Sequence, residues 1–198
     1  MTLVAIVLAA GQGSRFGSQK LLVPIGDKPL VRLTVENALA AALAEVVVVV
    51  GCDAEQVRGS LTGLDVRFAE NPHYADGMST SVRAGIDALL PATSGALIVL
   101  GDQPGVTPAI VGRLSEALRI SRKPIVVPVY AGQRGNPVLF RSDIFPELDT
   151  IRGDQGARDL VLSDLRRVEF VDFPFEPPGD VDTRKDYDAL LRTMGPLA

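Results

Sequence analysis

Apolar positions along the chain keep two rhythms. Short β-rich runs recur at Val4–Leu8, Val46–Val50, Val66–Ala69, Ala96–Leu100, Ile125–Val129 and Val168–Asp172. Between them lie stretches with helical spacing, which predict helices at Leu30–Leu43, Met78–Leu90, Pro108–Arg119, Gln155–Leu165 and Arg184–Arg192. Asp27 and Pro29 precede the first of these, with proline where its missing N–H costs least. Strands alternating with helices predict an α/β fold in three layers, helices covering both faces of a mostly parallel sheet. Pro174–Gly179 is the one linker-like patch, and it reads as a loop between the last strand and the last helix.

Composition narrows this picture. A length of 198 residues suits one well-cored domain, expected to span 1–198. Tryptophan is absent and aromatics make up 5%, so the core must be aliphatic, as a buried parallel sheet requires. The net charge of −4 argues against a broad basic surface for nucleic acid or an anionic membrane, while leaving room for a local basic pocket. Cys52 is the only cysteine, which excludes an intrachain disulfide and a Cys-ligated zinc site and makes the cytoplasm the expected location. Leu3–Ala10 lacks a basic leader and is too short for a membrane span, so it reads as a first strand.

In an open α/β sheet, ligands bind beyond the carboxyl ends of the strands, so the residues following each run carry the functional information. After the first run comes Leu8-Ala9-Ala10-Gly11-Gln12-Gly13-Ser14-Arg15-Phe16-Gly17-Ser18-Gln19-Lys20. Its glycines let backbone N–H groups converge on phosphate oxygens, and Arg15 and Lys20 supply charge, which outlines a polyphosphate cradle. The bland alternative is a strand-to-loop turn with solvated cations. A P-loop is excluded because Gly17 and Lys20 are separated by two residues and no Ser or Thr follows the lysine. A dinucleotide loop fails too: its third glycine comes one residue late, and the second strand's end, Gly51-Cys52-Asp53, is too distant.

Two further strand ends are chemical. Asn71-Pro72-His73-Tyr74-Ala75-Asp76-Gly77-Met78-Ser79-Thr80-Ser81 opens a helix, where free N–H groups and small hydroxyls suit polar ligand edges, or where Ser79 simply caps. Leu100-Gly101-Asp102-Gln103-Pro104 ends a buried strand in a carboxylate that can hold Mg²⁺ with a triphosphate, or else is a turn residue. Asp182, in Gly179-Asp180-Val181-Asp182-Thr183, is its candidate partner or alternatively the cap of the last helix, and Asp180 is the weaker candidate. His73, the only histidine, reads as a surface or packing residue, and Cys52 as a small, partly buried one.

The loop pattern L-A-A-G-x-G-x-R-x-G-x-x-K resembles that of the nucleotidyltransferases that attach a nucleotide to molybdopterin, and the chain looks closest to the molybdenum cofactor cytidylyltransferase branch. The resemblance covers nearly the whole chain. It continues through Gly132-Gln133-Arg134-Gly135-Asn136-Pro137-Val138-Leu139-Phe140, Gly153-Asp154-Gln155-Gly156-Ala157-Arg158, and the C-terminal stretch, where Arg184 replaces the family's proline and Asp186-Tyr187 are kept. It implies a Rossmann-like nucleotidyltransferase fold and transfer of CMP from CTP to the terminal phosphate of molybdopterin, with release of pyrophosphate and dependence on Mg²⁺ or, in its place, Mn²⁺. Within it, Leu8, Ala9, Ala10, Gly11, Gly13, Ser14, Arg15, Lys20, Asn71, Gly77, Ser79, Ser81 and Gly101 would bind the nucleotide. Arg15 and Lys20 would be catalytic, with Asp102 and Asp182 as metal ligands. Arg134, Gly135, Asn136, Pro137 and Arg158 would line the acceptor side, guanidinium matching phosphate. A molybdoenzyme or its chaperone would be the receiving partner.

The Ala9-Ala10 pair matches the cytidylyl branch, where the guanylyl branch usually has two glycines. A phosphate monoester acceptor has a second pKa of about 6, so no general base is needed. Three competitors stay open. Transferases to sugar or polyol phosphates usually carry proline before the lysine, where Gln19 stands here. A redox or cofactor-handling accessory beside molybdenum hydroxylases could use the same fold, and so could a carrier that only binds the pterin.

Overall fold

The computed structural model describes residues 1–11, 19–154, 157–181 and 183–194. In chain order the strands are β1 (Leu3–Ala9), β2 (Pro24–Ile25), β3 (Lys28–Pro29), β4 (Glu45–Val50), β5 (Arg67–Glu70), β6 (Gly95–Leu100), β7 (Ile125–Tyr130), β8 (Gln133–Arg134), β9 (Val138–Arg141) and β10 (Val168–Phe173). The helices are α1 (Leu30–Ala40), α2 (Ala54–Ser60), α3 (Met78–Asp87), α4 (Pro108–Ile120), α5 (Phe145–Leu148), α6 (Arg158–Ser163) and α7 (Arg184–Met194). The main sheet runs β10-β7-β9-β6-β1-β4-β5, with β8 paired to β7, and β2 and β3 form a separate antiparallel pair. The fold is α/β with a mostly parallel sheet. The β1–β4, β1–β6, β4–β5 and β7–β10 pairings are parallel, and β9 runs antiparallel to both β6 and β7.

Central strands are apolar on both faces because both faces are covered. In β1, Leu3, Ala5, Val7 and Ala9 enter one core beneath α1 and α4, while Val4, Ile6 and Leu8 enter the other beneath α3. Val46, Val48 and Val50 of β4 join the first core, and Val47 and Val49 the second. Gly85 allows α3 to lie close on β1, since a Cβ there would collide with Ile6 Cγ2.

All six predicted strands and five predicted helices appear, with shifted ends. The first helix stops at Ala40, where Ala41 turns extended (ψ 152°), rather than at Leu43. The 78–90 helix ends at Asp87, and the last helix runs to Met194. The helix expected at 155–165 is α6, Arg158–Ser163; residues 155 and 156 lie outside the described ones. Six elements were not anticipated: β2, β3, β8, β9, α2 and α5. Helix α2 buries little beyond Val57, too few apolar positions for a visible period. Strand β9 is a four-residue run following the turn at Arg134–Pro137, and it splits what would otherwise be a parallel sheet.

Candidate functional site

Parallel strands bring the ends of β1, β4 and β6 to one edge. There the Lys20 ammonium meets the Asp102 carboxylate, Nζ to Oδ2 at 2.5 Å, with the side chains only 17% and 12% exposed. Backbone bonds tie these ends and that of β5 together: Gly101 N donates to Leu8 O at 3.0 Å, Cys52 N to Ala10 O at 3.1 Å and Asn71 N to Val50 O at 2.8 Å. From below, α1 holds the segment that carries Asp102. Thr34 Oγ1 donates to Gly101 O at 3.0 Å, and Asn37 Nδ2 to Pro104 O at 2.7 Å. Two carbonyls flanking the carboxylate are thereby fixed by one helix face, residues three apart.

Ala9 and Ala10 are buried, one in each core, and Leu8 is buried beside Ala10. Gly11 is exposed, and no atom of the described residues lies within 4 Å of where its Cβ would be. Gly13, Ser14, Arg15 and Asp182 lie outside the described residues. Gln19, before the lysine, donates through Nε2 to Asp53 Oδ2 at 3.0 Å, and Cys52 Sγ reaches the same oxygen at 3.3 Å. Burial first and this hydrogen bond second push the Cys52 thiol above its ordinary value.

The Asn71–Ser81 segment is built from within. Asn71 is 3% exposed; its amide donates to Thr80 Oγ1 (2.8 Å) and Ser81 Oγ (2.9 Å), and its oxygen accepts from His73 N (3.0 Å). Ser79 and Ser81 are buried, and Ser79 N donates to Gly153 O at 3.0 Å rather than the side chain capping α3. Gly77 has φ +107°, and a Cβ there would lie 2.8 Å from Asp154 Oδ1. The Asn71–Ser81 and Gly153–Asp154 segments are therefore in direct contact. His73 is exposed at the surface.

Beside this edge lies a cleft of about 660 Å³. Ile98, Leu100, Val127, Val138 and Phe140 form its apolar floor, and Arg134, Gly135, Asn136, Asp154 and Arg158 its polar lining. Pro137 is buried, joined to Asn136 through a cis peptide bond, and leads into β9. Strand β9 is what turns the Arg134–Pro137 segment into the cleft, because its antiparallel direction places its start at the ligand-facing edge. Tyr130 supports it: fully buried, it donates through Oη to Asn136 O at 2.8 Å. Burial drives the Tyr130 phenol well above its ordinary value, so it stays a donor.

At the start of α7, Thr183 and Asp186 bond to each other. Thr183 N and Oγ1 donate to Asp186 Oδ2 at 2.8 and 2.7 Å, and Asp186 N returns a bond to Thr183 Oγ1 at 3.3 Å, a reciprocal cap. For a divalent cation, Asp102 supplies a hard oxygen donor. Among the described residues no cluster of three or more His, Cys, Asp or Glu side chains could hold a metal. Mg²⁺ takes one or two carboxylates and completes its shell with phosphate and water oxygens. Sequence reasoning missed Thr34, Asn37, Tyr130 and Asp154. Only Asp154 carried a visible signal, its place beside Arg158 in the second-half motif.

The model of the MobA-like NTP transferase domain matches residues 5–168. The chain belongs to that family. Membership and fold make it a nucleotidyltransferase of MobA-like type. Nicotine blue oxidoreductase of Paenarthrobacter nicotinovorans is 33% identical over 196 residues, covering 94% of this chain and 95% of that protein. Purine catabolism protein PucB of Bacillus subtilis is 28% identical over 207 residues, 97% of each. The crystal structure of Rv0371c of Mycobacterium tuberculosis H37Rv in complex with manganese superimposes with a TM-score of 0.78 at 31% identity, covering 98% of this chain and all of that one. No helix among the described residues is long and apolar enough to cross a membrane.

Proposed function

We propose that this MobA-like transferase moves CMP from CTP to the terminal phosphate of molybdopterin and releases pyrophosphate. A single observation carries the reading. The Lys20–Asp102 pair sits at the carboxyl ends of β1 and β6, next to a cleft rimmed by Arg134 and Arg158. A triphosphate meeting the first pair and a phosphate-bearing heterocycle in the second would have its reacting groups side by side, which is where most of the rate of such a transfer originates.

In the proposed reaction an acceptor phosphate oxygen attacks the α-phosphorus in line, and pyrophosphate leaves. Arg134 and Arg158 hold the acceptor phosphate, while the apolar floor excludes water and receives the flat ring. Lys20, with Arg15, takes up the negative charge that builds on the α- and β-phosphates. Gly11 and Gly13 bring backbone N–H groups to the triphosphate, and Asn71, Gly77, Ser79, Ser81 and Gly101 shape the base and ribose side from behind. Asp102 and Asp182 would hold Mg²⁺ or Mn²⁺, the latter in keeping with the manganese complex of Rv0371c. When bound, that metal neutralises triphosphate charge. The Ala9-Ala10 pair favours CTP over GTP.

A pyrophosphate-release assay with CTP and with GTP, each with Mg²⁺ and molybdopterin, tests reaction, base and acceptor together. Release with CTP is expected; release only with GTP overturns the base choice, and none with either overturns the acceptor. A redox or cofactor-handling role beside molybdenum hydroxylases is the second reading. It is favoured by the 33% identical relative named nicotine blue oxidoreductase. A yellow, reducible purified protein would support that role, and a colourless one the transferase.

A further inference from the structure

Tyr130, the last residue of β7, is fully buried, with its ring in the first core. Phe173 stacks on that ring with 5.2 Å between centroids, and the Arg113 guanidinium lies 4.4 Å over Phe173, so the ring is held in place. A phenylalanine would fill the same space without burying a hydroxyl, so the oxygen is explained by the bond it makes. Its acceptor lies outside the core. Oη donates to Asn136 O at 2.8 Å, and Asn136 belongs to the lining of the cleft.

Tyr130 meets the same segment twice more. The chain turns at Ala131 and Gly132, both at positive φ (45° and 85°), and returns onto the residue it has just left. Gln133 pairs with Tyr130 across the β7–β8 ladder, and Gly135 lies against its ring, where a Cβ would be 3.0 Å from both Cδ2 and Cε2. Glycine at 135 lets the backbone cross the ring this closely. We infer that Tyr130 is a positioning residue for the acceptor. Its ring sets how near Gly135 comes to β7 and its hydroxyl holds the Asn136 carbonyl, so that the Arg134–Asn136 segment faces the cleft in the one arrangement an anionic acceptor can use. This rests on the acceptor reading of the cleft proposed above.

The test is steady-state pyrophosphate release by the full chain, with molybdopterin and CTP varied in turn. Tyr130→Phe keeps the ring and removes one hydroxyl. It should raise the KM for molybdopterin about 3–10-fold, as loss of one neutral hydrogen bond does, and leave the KM for CTP unchanged. Gly135→Ala, which presses on the ring from the segment's side, should raise the same KM. A role in stability alone would lower Tm and the folded fraction, and so the apparent kcat, with both KM values as before; that result overturns the inference, and so does an equal rise in both KM values. Arg134→Ala separates the two readings. If the unmodified chain releases no pyrophosphate, or if Arg134→Ala leaves the molybdopterin KM unchanged, the acceptor reading falls and takes this inference with it. If Arg134→Ala raises that KM while Tyr130→Phe does not, only the positioning role is overturned.

Discussion

Two ion pairs sit at opposite edges of the same sheet, one where β1 and β6 end and one where β4 and β5 begin. At the carboxyl ends, Lys20 and Asp102 meet through one contact, each mostly buried. At the amino ends, Arg67 forks onto Glu45, Nε to Oε1 at 2.6 Å and a terminal nitrogen to Oε2 at 2.9 Å, and donates again to Ala88 O. Those side chains are 36% and 26% exposed. The Arg67 pair ties elements together at the edge away from the cleft, the Lys20–Asp102 pair lies at the edge beside it, and that difference separates a joint from a candidate site. Arg67 stitches β5, β4 and the end of α3 with its donors used inside the fold. The segment that carries Asp102 is held through Gly101, Thr34 and Asn37, and the Lys20–Asp102 pair lies at the edge where the proposed ligand would bind.

Substituting each pair should therefore give opposite results. The largest effect is expected for Asp102→Asn, which should fold normally by circular dichroism yet lose on the order of 10²–10³ in pyrophosphate release. Unchanged turnover would make this pair a second structural joint. Arg134→Ala should raise the acceptor KM roughly tenfold to hundredfold and leave the CTP KM alone, since one charge-assisted bond to a phosphate is worth about 1.5–3 kcal/mol. Equal changes in both KM values would mean that the cleft and the triphosphate edge are not separate.

At the other end, Arg67→Met should leave turnover per folded molecule unchanged and lower stability by about 1 kcal/mol, a discounted figure because the pair is partly solvated. For a chain of this size that is about 2–4 °C in Tm. The hydrogen bond from Arg67, then its charge, holds the Glu45 carboxyl below its ordinary value of 4.5 against the opposing effect of burial. A carboxylate lowered in the folded state stabilises above its unfolded pKa, so this contribution is present above about pH 4.5 and disappears as the pH falls below it. Thermal melts of the Arg67→Met protein should converge on those of the unmodified one in that acid range. The smallest effect concerns Cys52. Alkylation at pH 8 should be slower than for a free thiol, and Asp53→Asn should quicken it, asparagine tolerating the left-handed backbone at that position (φ 52°). Equal rates would remove Asp53 as a cause.

The legibility of the sequence follows the same division. Runs such as Leu3–Ala9 and Glu45–Val50 announce themselves because strands buried on both faces are apolar throughout. Helix α2 and strand β9 do not, because each is short and takes its stability from neighbours. In the candidate site, Lys20, Asp102, Arg134 and Arg158 were picked out because charged residues in small-residue loops after apolar runs stand out. Thr34, Asn37 and Tyr130 were not, because a helix polar residue or a strand tyrosine has an ordinary sequence context, and only the packed fold reveals that its donor ends on a loop carbonyl.

By itself, then, the sequence determined the α/β alternation, the aliphatic core and the positions at which chemistry gathers, since periodicity and burial are local properties of a chain. Which of those positions meet was decided by tertiary structure. Residues 20 and 102, or 103 and 180, become neighbours only through parallel pairing of β1 with β6 and the return of the chain before α7. The insertion of β9 between β6 and β7 was likewise beyond local reading, and it is that strand's reversed direction that turns Arg134–Pro137 toward the cleft.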